Sequence, residues 1–106
     1  MTKVKVLIEG YAKQTSSGWL ASSTAVLIED SGKKILVDPG TNKDLLLDRM
    51  EEEGLTPKDI NFIFLTHYHI DHTFLVALFT DSKLLDGSVI YEKDLETEYS
   101  EVIPGT

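Results

Sequence analysis

Ile60-Asn61-Phe62-Ile63-Phe64-Leu65-Thr66-His67-Tyr68-His69-Ile70-Asp71-His72 is the stretch whose reading decides the fold. Its first part is an apolar run of strand length, and its second part gathers every histidine of the chain, with one aspartate, into positions 67–72. The run reads as a buried strand that delivers a loop of metal-ligand residue types to the edge of a sheet. If His67 and His69 continue the extended chain, their side chains share one face, because strand side chains repeat every two residues. They can then converge on one ion. Asp71 and His72 point apart in an extended segment, but at the start of a helix they lie about 100° apart in projection. Both then lean towards the mouth of the preceding strand. Imidazole and carboxylate donors suit zinc, with manganese and iron also compatible, and the chain has no cysteine to offer thiolate. Histidine tracts also arise as tags or incidental surface features. This one is internal, follows a strand, carries an interleaved aspartate and precedes an amphipathic stretch.

Outward from this stretch the chain alternates strands and helices. Upstream, Val4 to Gly10 is rich in β-branched residues and reads as a first strand. Ala12 to Gly18 reads as a polar surface loop, with a position beside the site mouth as the functional alternative. Thr24 to Glu29 is a second strand, joined through the hairpin turn Asp30-Ser31-Gly32-Lys33 to a third, Lys34 to Asp38. Pro39-Gly40 stops that strand. Thr41 or Asn42 can then cap a helix with Asp44 in its first turn, a stripe of Leu46, Leu47 and Met50, and Gly54 as its stop. Glu51, Glu52 and Glu53 oppose the helix dipole and read as a solvated face. Downstream, Asp71, Phe74, Leu75 and Leu78 have helical spacing, which predicts a short helix burying Phe74, Leu75 and Leu78. Lys83 to Leu85 and Ser88 to Tyr91 are strand-like around Asp86-Gly87, and Glu92 to Glu101 reads as a frayed helical turn.

Thr66-His67-x-His69-x-Asp71-His72 resembles the signature of the metallo-β-lactamase superfamily. Ile35-Leu36-Val37-Asp38-Pro39-Gly40 is similar to that superfamily's strand-then-turn segment ending in Asp and Gly. The resemblance implies an α/β fold, the first half of an αβ/βα sandwich with a mixed sheet and outer helices. It further implies His67 and His69 as ligands of a first metal, Asp71 and His72 as ligands of a second, and Asp38 beneath the site, orienting a ligand by hydrogen bonding. The implied activity is hydrolysis of an ester, thioester, lactone or phosphodiester by hydroxide on one or two zinc ions. Zinc lowers the pKa of its bound water from 15.7 to about 7 and polarises the attacked carbonyl or phosphoryl. Asp71 would also orient that hydroxide, which makes it the catalytic residue. Tyr68 and Ile70 alternate away from the ligands and carry no catalytic role.

The resemblance has departures. The superfamily fold usually spreads over roughly twice this length, so residues 1–106 are expected to be a single incomplete domain, its N-terminal half. With no histidine outside 67–72, the further histidine of the first site and the last histidine of the second have no counterpart here, and neither has the bridging aspartate. Thr73-Phe74 replaces the small residue or Gly often found there, so local packing is expected to differ. A half sandwich leaves an inner sheet face bare, so either a missing C-terminal half or a second chain is expected to cover it.

Alternatives from other classes are an iron-dependent sulfur dioxygenase of the same superfamily, favoured by mononuclear iron, and a noncatalytic binding half, favoured by absence of metal. A redox diiron module typically carries an acidic residue where His69 stands, which argues for hydrolysis. Ten basic and eighteen acidic residues give a net charge of -8, which disfavours nucleic acid, and no basic patch with interleaved aromatics suggests a nuclease. The partner expected at the site is a small-molecule substrate. No apolar run approaches the ~18 residues of a membrane span. The N-terminus lacks a signal-peptide core, so a soluble, cytoplasmic protein is expected. No nucleophile elbow, phosphate loop or dinucleotide fingerprint is present.

Overall fold

The computed structural model describes residues 2–66, 69–86, 89–93 and 95–98. The β-branched and aromatic runs form strands β1 (Lys3–Ile8), β4 (Ala25–Asp30), β5 (Lys33–Val37), β6 (Phe62–Phe64) and β8 (Val89–Glu92), the short segments β7 (Lys83–Leu85) and β9 (Leu95–Glu98) are also strands, and β2 (Tyr11–Thr15) pairs with β3 (Gly18–Ser22). Among the described residues seven strands make one mixed sheet in the order β1-β4-β5-β6-β7-β8-β9, and β2-β3 stands apart as a two-stranded ribbon. The strands β5, β6 and β7 are parallel, and the remaining pairs are antiparallel. Ser31 and Gly32 both have positive φ, 52° and 78°, the conformation of a tight two-residue hairpin between β4 and β5.

Two helical segments make the β5–β6 and β6–β7 crossovers. Helix α1 (Lys43–Glu52) is capped by Asn42, whose side-chain oxygen accepts the Leu45 N–H at 3.1 Å, and Asp44 complements the dipole in the first turn. Leu46 and Met50, four residues apart, are fully buried, whereas Leu47 is only half-buried. Gly54 at φ 73° ends the helix, its N–H reaching Glu51 O at 2.9 Å. Lys5 pairs with Glu53, which offsets part of the acidic run. Before β6, a 3-10 turn at Pro57–Asp59 is closed by the Thr56 N–H donating to Asp59 Oδ2 at 2.7 Å. That backbone bond holds the Asp59 carboxyl below its ordinary pKa.

Strand register sorts the sheet into two faces. Leu27, Leu36 and Ile63 lie in one row and pack against Leu46 and Met50 of α1 and Leu75 and Phe79 beyond α2 (Ile70–Thr73). The neighbouring positions give two apolar rows on the other face: Val4, Ile28, Ile35 and Phe62, then Val6, Val26, Val37, Phe64, Leu85 and Ile90. Ile35, Phe62 and Leu85 are buried there, and among the described residues the partly buried hydrophobics packed against them, Ile28, Phe64 and Ile90, come from the sheet itself. Val4 and Val6 are 66% and 50% exposed.

Three sequence expectations are corrected. The segment read as a polar loop at 12–18 is the turn and much of the β2–β3 ribbon; the hydroxyls that suggested a loop close the turn, with Thr15 Oγ1 donating to Gly18 O at 3.1 Å. The helix after the histidines does not bury Phe74, which is 65% exposed. After four α-helical residues the chain tightens to a 3-10 run, Phe74–Leu78, whose three residues per turn break the 3.6-residue stripe. Leu75 and Phe79 turn inward, and Leu78 is half-buried. The acidic segment read as a helical turn contains β9, which pairs with β8; Lys93 at φ 58° turns the chain back. Across that pair Glu96 hydrogen-bonds the Tyr91 phenol and pushes its pKa up. Residues 99–106 lie outside the described residues.

Candidate metal centre

The register Val37–Phe64–Leu85 brings the C-terminal ends of β5, β6 and β7 level. The ladder runs one step further, with Asp38 N–H donating to Phe64 O at 3.0 Å and Leu65 N–H to Leu85 O at 2.8 Å. The crevice outside the carboxyl ends of such strands is where open α/β sheets hold ligands. Asp38-Pro39-Gly40 leaves β5 at this edge, and the histidine segment leaves β6 beside it.

Asp38 has φ 50°, a left-handed conformation that Asp tolerates better than most residues. That turn aims a carboxylate, itself nearly fully buried, at the start of the histidine segment. Thr66 N–H donates to Asp38 Oδ1 at 2.9 Å, and the Thr66 hydroxyl donates to Oδ2. His72 Nδ1 lies 3.0 Å from the same Oδ2. An ionised carboxylate only accepts, so the ring nitrogen that faces it, Nδ1, is the donor of this bond. Nε2 in turn lies 3.8 Å from Asp71 Oδ2. His72 is thus bracketed by two carboxylates, one buried and one at 41% side-chain exposure.

Gly40 joins the two segments. Its φ is 83°, and a Cβ there would stand 2.5 Å from Ser22 Oγ. Its N–H donates to His72 O at 3.2 Å and its carbonyl accepts the Leu75 N–H at 3.0 Å. His69 immediately precedes α2, and its carbonyl accepts the His72 N–H at 2.9 Å and the Thr73 hydroxyl at 3.2 Å. The His69 and His72 ring centroids are 6.5 Å apart with the rings inclined at 69°.

Of the residues singled out in the sequence, Asp38, Asp71 and His72 are brought into one cluster and His69 lies beside it. His67, like Tyr68, lies outside the described residues. Among the described residues no three acidic or histidine side chains converge on a common point. The chemistry of the cluster nevertheless fits a cation: a histidine whose Nδ1 is engaged by a buried carboxylate has its Nε2 oriented as a donor, the arrangement found behind metal-ligating histidines. Sequence reasoning gave no role to Thr66, Ser22 or Ser23, and read Gly40 only as part of the turn that stops β5. The signal available for Thr66 was its place at the end of a strand beside that of Asp38; a serine pair ahead of a strand offers none.

The chain matches the model of the metallo-beta-lactamase superfamily over residues 18–105. It is 36% identical to ribonuclease Z of Methanopyrus kandleri, aligning 79% of this chain with 34% of that protein. It is 30% identical to metallo-beta-lactamase domain-containing protein 1 of Xenopus laevis, over 77% of this chain and 36% of that one. Its fold superposes on a candidate metallo-beta-lactamase of Thermotoga maritima with a TM-score of 0.68 and 30% identity, covering 78% of this chain and 42% of that one. The chain therefore spans about a third of the length of these curated relatives. Among the described residues no helix is long and apolar enough to cross a membrane. With a mixed α/β sheet, a buried aspartate after β5 and a histidine segment after β6, the chain belongs to the metallo-beta-lactamase superfamily.

Proposed function

We propose that this chain supplies one side of a metal-dependent hydrolase site, in which His67, His69, Asp71 and His72 hold one or two zinc ions, with Asp38 behind His72. The observation that carries the reading is the buried Asp38 carboxylate, fixed by two Thr66 donors and set against His72 Nδ1. Two donors on one carboxylate hold an imidazole in a single tautomer and orientation, which a surface histidine does not need. Imidazole and carboxylate donors suit zinc, with manganese and iron also compatible because no thiolate is present to sharpen the choice.

A divalent ion held there supplies Lewis acidity and acidifies a bound water. The chain's own residues do the rest. Asp38 would keep the proton on His72 Nδ1 and so leave Nε2 to hold the ion. Asp71 Oδ2, half-exposed and beside Nε2, would align the attacking water, take its proton as the new bond to the acyl or phosphoryl centre forms, and return that proton to the leaving oxygen or sulfur as the old bond breaks. The substrate is a small ester, thioester, lactone or phosphodiester; the last class is supported by the relative named ribonuclease Z. The test is metal content of the purified chain by inductively coupled plasma mass spectrometry after dialysis against metal-free buffer. Each pair, His67 with His69 and Asp71 with His72, falls short of the roughly three protein ligands of a catalytic zinc, so about one tightly held zinc per chain is expected where a second copy of the chain completes the coordination. Retention of no metal by the isolated chain marks an unfinished half-site, and retention of none by a longer protein that carries the remaining ligands sinks the reading.

We also propose that a second apolar sheet layer, from a further half of a longer protein or from another chain, covers the Val4–Phe64 face. Contiguous apolar patches beyond a few hundred Å² are seldom tolerated by a monomer. Light scattering of the isolated chain should therefore find self-association, and Val4→Lys with Val6→Lys should raise the monomer fraction. These positions suit the test because they are largely exposed. A monodisperse, well-folded monomer of the unsubstituted chain overturns the proposal.

A further inference from the structure

Three segments meet behind the candidate site: the β3–β4 junction with Ser22 and Ser23, the Asp38–Thr41 loop, and the start of α2. Ser22 and Ser23 are 2% and 6% exposed, an unusual depth for hydroxyl side chains. Ser22 Oγ accepts the Thr41 N–H at 3.0 Å, and Thr41 Oγ1 donates to Ala21 O at 2.6 Å. Ser23 does more. Its N–H donates to Asp71 O at 2.8 Å, and its hydroxyl donates to Asp38 O at 3.2 Å. One buried residue thus grips the backbones of both acids that bracket His72, one on each side of the ring.

We propose that Ser23 is a positioning residue for His72, setting the separation of Asp38 and Asp71 and so the presentation of Nε2. The purpose of this positioning rests on the metal-site reading, though its geometry does not. Asp38 occupies a left-handed backbone conformation that a hydrogen bond to its own carbonyl helps to hold. A carboxylate carried on a backbone free to relax would still meet His72, but with the ring spread over more than one orientation and tautomer. Ligand geometry needs to be held within about 0.5 Å to be productive, and buried hydrogen bonds to a strained loop supply that restraint. Ser23→Ala removes only the Asp38 tether; the Ser23 N–H bond to Asp71 remains.

The test uses the 106-residue chain, with Ser23→Ala and the hydroxyl-retaining Ser23→Thr. The His72 ring nitrogens are read by 15N NMR without metal, and then zinc affinity and thermal unfolding are measured. The expected result is a single Nδ1-protonated tautomer in the unsubstituted chain and a mixture in Ser23→Ala. Zinc should bind Ser23→Ala about tenfold more weakly, and Ser23→Thr should restore both ring signals and affinity. A Ser23→Ala variant that unfolds at lower temperature but keeps unchanged ring signals overturns the proposal, because its hydroxyl is then only structural. If the ring signals change as expected while no variant and no unsubstituted chain takes up zinc, the positioning role stands, and the metal-site reading fails once a longer protein that carries the remaining ligands also takes up none.

Discussion

Replacing Asp38 by alanine is expected to destabilise the fold by about 3 kcal/mol, since it strands partly buried donors at about 1–3 kcal/mol each and leaves alanine in a left-handed conformation. The Thr66 N–H and hydroxyl both lose their acceptor, and His72 Nδ1 loses the group that holds its proton. The residue sits where β5 ends, bonded through its own N–H to Phe64 O, so the damage falls on the joint between two central strands. Chemical denaturation measures it. Asp38→Asn separates the two roles of the carboxylate. Asparagine tolerates the left-handed backbone, and its oxygen can still accept the Thr66 N–H. Its amide nitrogen, facing His72 Nδ1 in place of Oδ2, donates instead of accepting. The proton on the ring must then move to Nε2, the nitrogen that faces Asp71. Asp38→Asn should therefore stay close to the original in stability, invert the His72 tautomer as read by 15N NMR, and weaken zinc binding by about 10–100-fold. An unchanged tautomer in a folded Asp38→Asn chain would show that the carboxylate does not set it.

Much of the scaffold behind that prediction was legible in the residues. The β4–β5 hairpin announced itself through Ser31-Gly32, the helix through Asn42, Asp44 and the Leu46–Met50 spacing, and the central strand through an apolar run too short for a helix. These features are local, and local chemistry decides them. What was misread depended on partners distant in sequence or on geometry that side-chain type does not encode. The β2–β3 ribbon is largely solvated on both faces, with Trp19 and Leu20 exposed, so it lacks the alternation that marks a half-buried strand. Strand β9 exists because β8 offers it an edge. Phe74 faces out because the helix tightens after Thr73, a change of pitch with no residue signature of its own.

The site divides in the same way. Asp71 and His72 could be named because all the histidines of the chain gather with an aspartate directly after a strand, and Asp38 because its strand-then-turn segment resembles that of the superfamily. Ser23 and Gly40 act through a backbone N–H, a hydroxyl and the absence of a Cβ, features shared with most loops. Their importance comes from where the chain brings them: three segments far apart in sequence must fold before the Asp38–His72 pair can be held. A positioning role of this kind becomes visible only when the hydrogen bonds of the buried backbone are traced one by one.

Asp71→Asn carries the largest expected effect on chemistry, and the structure explains why it should leave the fold almost untouched. Asp71 serves the architecture through its carbonyl, which accepts the Ser23 N–H, and asparagine keeps that carbonyl. The side chain is 41% exposed, and its approach to His72 Nε2 at 3.8 Å is too long for a structural hydrogen bond. It also stands in the first turn of α2, where asparagine is readily accommodated. What the substitution removes is a negative charge and a proton acceptor at the mouth of the site. In a protein carrying the complete site, turnover should fall by about 10²–10⁴-fold, the usual contribution of a positioned acid or base. Zinc affinity should fall with it, while the thermal unfolding midpoint of the metal-free chain stays within a few degrees of the original. The split between the two readouts is the informative part. Lost turnover with retained zinc assigns Asp71 to proton transfer, loss of both assigns it to holding the ion, and undiminished turnover removes Asp71 from the chemistry altogether.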